Sequence, residues 1–130
     1  MKGAAAVLGV LTAATGCRPT SSDHLYQGQV ERFATAAAAQ DSSALRRLAE
    51  SDEVARWALE AARLRPAIFT GLRGAVHVKR ARVAADTVVM VYHTLGACAD
   101  RPIVVTFVGP ASTSRVSRIE TDCQSQGIAR

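Results

Sequence analysis

Nothing in this sequence is long and apolar enough to cross a bilayer as a permanent helix. Such a helix needs about 20 apolar residues, and the longest uncharged apolar run, Gly3 to Ala14, stops at twelve. Glycine-rich phosphate loops, Gly-x-Ser-x-Gly elbows and Cys-x-x-Cys pairs are also missing. Their absence removes the usual signatures of nucleotide binding, serine hydrolysis and thiol redox chemistry. The three histidines, His24, His77 and His93, are scattered, and none stands at a ligand spacing from a cysteine or carboxylate. No metal or other cofactor is expected. The charge is basic but thinly spread: the excess of +5 comes mostly from arginines, with no run longer than Arg46-Arg47. A nucleic-acid footprint requires clustered cations, so no nucleic-acid partner is expected, and an anionic membrane surface is the simpler one.

What the sequence does contain is ordinary globular material. Of 130 residues, 48% are hydrophobic and 21% charged, which suits one domain with a modest core and leaves no room for two.

The first 16 residues, MKGAAAVLGVLTAATG, place one positive charge at Lys2 before the apolar run and small residues after it. This is signal-peptide anatomy. At its end, Ala14-Thr15-Gly16-Cys17 resembles the lipobox of bacterial lipoproteins, with Ala14 where the family usually has leucine. The resemblance implies cleavage before Cys17 and a diacylglycerol thioether on its sulfur, because a thiolate is the nucleophile able to take that lipid. The alternative is ordinary cleavage after Thr12-Ala13-Ala14, with Cys17 a bystander. Arg18, not aspartate, follows the cysteine; by the family rule this implies the periplasmic side of the outer membrane if the source is diderm. Residues 17–22 are then a lipidated tether, 23–123 the domain and 124–130 a flexible tail.

Three helices are expected in the domain. Ser21, Ser22 and Asp23 can cap the first, whose buried stripe is Tyr26, Val30, Phe33, Ala34 and Ala37. Gln40-Asp41-Ser42-Ser43 separates it from a short second helix buried through Leu45, Leu48 and Ala49. Ser51 or Asp52 caps a third, with Val54, Trp57, Ala58, Ala61 and Leu64 inward and Pro66 stopping it. Beyond Gly71 and Gly74 the period shortens towards two, predicting strands near Ala75 to Val83, Thr87 to Thr94, Pro102 to Val108 and Ser114 to Thr121. Short turns make them antiparallel neighbours. Val116 and Ile119 have opposite parity, which calls for a bulge near Ser117 or Arg118 if both point inward.

Lipid on Cys17 leaves an even pair, Cys98 and Cys123. If Val108 faces Thr113 across the last turn, the same ladder brings these two cysteines opposite each other, at a separation that a disulfide spans. Two buried free thiols are the alternative.

Three helices followed by a four-stranded antiparallel meander, with Val30-Glu31-Arg32-Phe33-Ala34 in the first helix and Arg115-Val116-Ser117-Arg118-Ile119-Glu120 closing the sheet, resemble the cone-shaped fold of nuclear transport factor 2 and ketosteroid isomerase. The resemblance implies an α+β domain with N-terminal helices packed on a curved sheet, and a pocket where the cone is unfilled. Tyr26, Phe33, Trp57 and His93 are candidates to line it, with His77 a weaker candidate base. The strands lack the interior aspartate on which those isomerases rely, so no catalytic residue is assigned. A small apolar ligand or an envelope protein is the expected partner, an isomerase or hydratase the alternative, and a homodimer through the sheet is compatible with both. Arg80 and Arg82, at alternate positions on one strand, are candidates for contact with an anionic surface, with His93 nearby on the partner strand; a solvated outer face is the plainer reading.

Overall fold

The computed structural model describes residues 21–94 and 101–123. Cys17 and its leader, Cys98 and the tail from 124 onward lie outside the described residues.

Helix α1 (Ser21–Ala38) takes in Ser21 and Ser22, which the sequence reading assigns to the tether. Two serines preceding an aspartate are favourable in a first turn, and Asp23 places a carboxylate by the positive end of the helix dipole. The expected stripe is the buried one: Tyr26, Val30, Phe33, Ala34 and Ala37 all face inward. The helix closes with Gln40 in the left-handed region, φ 58°. The Asp41 amide donates to the Ala36 carbonyl and the Gln40 amide to that of Ala37, a Schellman closure without glycine. The Gln40 side chain also donates to the carbonyls of Ala37 and Leu59, which offsets the cost of that backbone geometry.

Asp41 then caps α2 (Ser42–Leu48) by accepting from the Ala44 amide. Ser51 caps α3 (Asp52–Leu64), accepting from the Val54 amide. The inward face of α3 is rotated from the expected one. Ala55, Ala58, Ala61 and Ala62 are buried, Val54 and Trp57 half-buried, and Leu64 is 53% exposed. Four small alanines let α3 approach the core closely, a contact the larger side chains would hold off. Pro66 ends α3 as expected but also opens a fourth helix, α4 (Pro66–Leu72), that the three-helix expectation omits. Proline suits the first helical position because its missing amide hydrogen has no partner there. Seven residues with a glycine inside are too few for a helical period to stand out.

Strands β1 (Val76–Ala84), β2 (Thr87–His93), β3 (Ile103–Val108) and β4 (Arg115–Thr121) form one open antiparallel sheet in sequential order, within a residue or two of the expected bounds. The fold is α+β. Alternation sorts the two faces: Val88, Met90 and Tyr92 on β2 and Ile103, Val105 and Phe107 on β3 are buried under the helices. The Tyr26 and Phe107 rings lie 5.1 Å apart, tilted by 46°, and Trp57 covers Phe69 at 6.1 Å.

The last hairpin corrects one expectation and fulfils another. Val108 faces Arg115, not Thr113, because Ala111–Thr113 coil into a 3-10 turn that lengthens the connection by two residues. The expected pairing of Cys98 with Cys123 lies outside the described residues. Ser117 is the extra residue of a bulge, since Phe107 faces Val116 while Thr106 faces Arg118. Val116 is consequently buried and Ile119 packs against the same core.

One buried polar contact ties helix to turn. The Gln29 side chain, 6% exposed, donates to the Ser114 carbonyl and accepts from Arg32.

The junction of α4 with β2 leaves no room at one glycine. A Cβ on Gly71 would lie 3.0 Å from Cβ and Oγ1 of Thr94, whereas one on Gly74 would meet nothing within 4 Å. Gly71→Ala is expected to cost about 1–3 kcal/mol in urea denaturation, and Gly74→Ala to be neutral or slightly stabilising.

Candidate functional site

Of the four residues expected to line a pocket, Tyr26, Phe33 and Trp57 share one hydrophobic cluster and His93 lies apart from it. Tyr26 and Phe33 are packed into the core at 3% and 0% exposure. Trp57 is half-buried on α3. His93 is exposed and faces Val76 on the sheet face away from the helices, in phase with Val89 and Val91. One residue of strand parity separates it from the buried Tyr92. His77 pairs with Tyr92 along the backbone.

Arg80 and Arg82 face Met90 and Val88, so they lie on the helix-bearing face and not on the outer one. Two bulges bracket them, between His77 and Lys79 and between Arg82 and Ala84, and set this phase. His93 is therefore on the opposite face from both. The Arg80 guanidinium pairs with the Asp23 carboxylate at 2.7 Å, tying the first turn of α1 to β1. Arg82 donates to the Ala85 carbonyl.

A polar stripe lies beside this pair. Asp23, Gln27 and Glu31 recur every four residues along α1, a spacing that keeps them on one side. Gln27 donates to both Glu31 and the Ala75 carbonyl. Tyr92 approaches the same stripe from β2. Its hydroxyl is fully enclosed and has no hydrogen-bond partner, as is also true of Thr94 Oγ1. Burial pushes the Tyr92 phenol well above its ordinary pKa, and the Asp23 and Glu31 carboxylates push it further. The arrangement can hold a neutral hydroxyl as a donor close to two carboxylates. The sequence reading misses it, although the four-residue recurrence on α1 and the parity of Tyr92 with Val88 and Met90 are both legible signals.

Open grooves among the described residues lie at the surface. One of about 620 Å³ runs between α1 and α2, with Ala36, Ala39 and Leu48 as its apolar wall and Glu31, Arg32 and Arg47 at its rim. Another of about 360 Å³ separates α3 from β4, beside Trp57 and Ile119. No three of the described His, Cys, Asp and Glu side chains group as metal ligands, and no described helix is long and apolar enough to cross a membrane. Cys123 is 2% exposed and engaged with a partner.

The chain matches no family model, no curated protein and no solved structure.

The orphaned hydroxyl generates a test. Tyr92→Phe removes a buried donor that satisfies nothing, so stability in urea at neutral pH is expected to stay level or rise by about 1 kcal/mol. The phenol's folded pKa is raised, so its contribution is fully present below the ordinary value of about 10. Above that pH the unfolded chain gives up this proton while the folded chain keeps it, and stability falls. Unfolding curves from neutral to alkaline pH are expected to show that fall in the native chain and a shallower one in Tyr92→Phe.

Proposed function

We propose that this protein is a lipid-anchored domain of the bacterial cell envelope that acts by binding and not by turning over a substrate. The observation that carries the reading is the filled interior. Phe33, Phe69, Tyr92 and Phe107 occupy the space between helices and sheet, each at 1% exposure or less. An isomerase or hydratase would need an open cavity with a polar dyad at its wall. Here Tyr26 packs on Phe107, and His93 stands on the other side of the sheet. A filled core also favours a protein partner over a small apolar ligand.

Helices followed by a sequential antiparallel meander, with the helices on one face, support a cone of the nuclear transport factor 2 type. A second copy is a candidate partner for the outer face, where Val89, Val91, Val104 and Val108 stand half-buried in adjoining rows. The anchor reading rests on the leader and on Ala14-Thr15-Gly16-Cys17. In a diderm source, Arg18 after the cysteine directs the protein to the periplasmic side of the outer membrane. Cys98 and Cys123 form a disulfide in this proposal. Its support is the buried, engaged Cys123 and an oxidising compartment.

Intact mass of the protein purified from membranes, with and without reductant, tests these points together. The expected species begins at Cys17, carries acyl chains and gains two hydrogens on reduction. Cys17→Ser is expected to release the domain from membranes. A mature chain starting elsewhere, or one without acyl mass, overturns the anchor; an unchanged mass on reduction overturns the disulfide alone.

A further inference from the structure

Strand β1 is an edge strand whose described side chains are all exposed. Its inner side continues the face that buries Met90 and Val88, yet Arg80 and Arg82 on that side are exposed. Val76 and Val83, at opposite ends of the strand, are 64% and 61% exposed. Between them stand Lys79, Arg80 and Arg82. No aspartate or glutamate occurs between Glu60 and Asp86, and Asp23, which pairs with Arg80, comes from a different element. The surface is an apolar, cationic, apolar sequence along one extended edge.

Two observations select what covers it. The first is charge. A second copy of β1 added to this edge would set Lys79, Arg80 and Arg82 against the same three cations, and like charges across a strand pair are destabilising. An anionic surface meets no such penalty. The second is where the chain enters. The Asp23–Arg80 pair joins the first turn of α1 to β1, and the four residue-to-residue steps from Cys17 to Ser21 reach at most about 14 Å when extended. A lipid on Cys17 therefore keeps β1 close to the bilayer.

We propose that β1 is a membrane-docking edge: Lys79, Arg80 and Arg82 meet anionic lipid headgroups while Val76 and Val83 enter the interfacial layer. The long cationic side chains can lay their methylene stems along the apolar boundary and keep their charges among the phosphates. This rests on the anchor for its orientation, but the affinity for anionic lipid resides in the strand. Lys79 faces Val91 on the outer side of the sheet and Arg80 and Arg82 face Met90 and Val88 on the inner side, so the strand meets the bilayer edge-on, with cations flanking the edge from both faces.

The test uses the full chain as purified from membranes, added to phosphatidylcholine vesicles with or without phosphatidylglycerol. Amide exchange across residues 76–84 and co-sedimentation are read at about 0.1 M and about 1 M salt, where the screening length falls from roughly 10 Å to 3 Å. The expected result is slowed exchange in β1 on anionic vesicles only, reversed by high salt. Lys79→Glu with Arg82→Glu is expected to abolish the slowing. In a chain with Cys17→Ser as well, the pair should weaken the anionic-lipid component of binding at least about twentyfold. Arg46→Glu with Arg47→Glu, on α2, should leave both readings in place.

Equal protection on neutral vesicles, no protection on anionic ones, or an equal loss from the α2 pair would each overturn the proposal. Absence of acyl mass, with loss of retention on neutral vesicles, would instead be failure of the anchor. The β1 response to anionic lipid would still be read by salt-dependent co-sedimentation.

Discussion

Alternate residues of two central strands have to be covered, and one helix does most of the covering. Val88, Met90 and Tyr92 from β2 and Ile103, Val105 and Phe107 from β3 present a continuous apolar surface. Tyr26, Val30 and Phe33 of α1 answer it at helical spacing, with the Tyr26 and Phe107 rings in contact. The remaining helices are arranged around this contact. α3 is drawn close by its alanines, and α4 supplies Ile68, Phe69 and Leu72 to the open end. Because burial of these side chains is the main favourable term in folding, strand parity and helix phase must hold together.

That dependence explains which features are legible in the amino-acid sequence. The stripe on α1, the caps Asp41 and Ser51, the four strands and the bulge at Ser117 follow from periodicity and local chemistry, and the structure contains them. Three features do not follow. α4 is too short to show a period. The length of the β3–β4 connection depends on whether Ala111–Thr113 coil, a choice of backbone angles that composition does not decide. The faces of Arg80 and Arg82 depend on two bulges in β1, each of which reverses the parity beyond it. Residue type alone does not settle the face on which a side chain stands, since one inserted residue moves it to the other side of a sheet.

The interior and the surface consequently play different parts. The core packs ring against ring, and among the described residues the hydroxyls of Tyr92 and Thr94 are buried in it without hydrogen-bond partners. Features that can engage another molecule lie outside it: the grooves beside α2 and β4, the half-buried valines of the outer face, and the cationic edge of β1. Binding at a surface needs no cavity, and it leaves the packed centre free to be optimised for stability.

The buried Gln29 contact has a mechanical side. α1 is the first element among the described residues, and at 18 residues it extends about 27 Å. Tension applied at its start meets the Asp23–Arg80 pair first and then, further along, the bond from Gln29 to the Ser114 carbonyl beside the β3–β4 turn. A pull along the helix axis is thus shared between the first strand and the last hairpin. Such loading strains bonds in parallel, a geometry that resists peeling the sheet open one strand at a time.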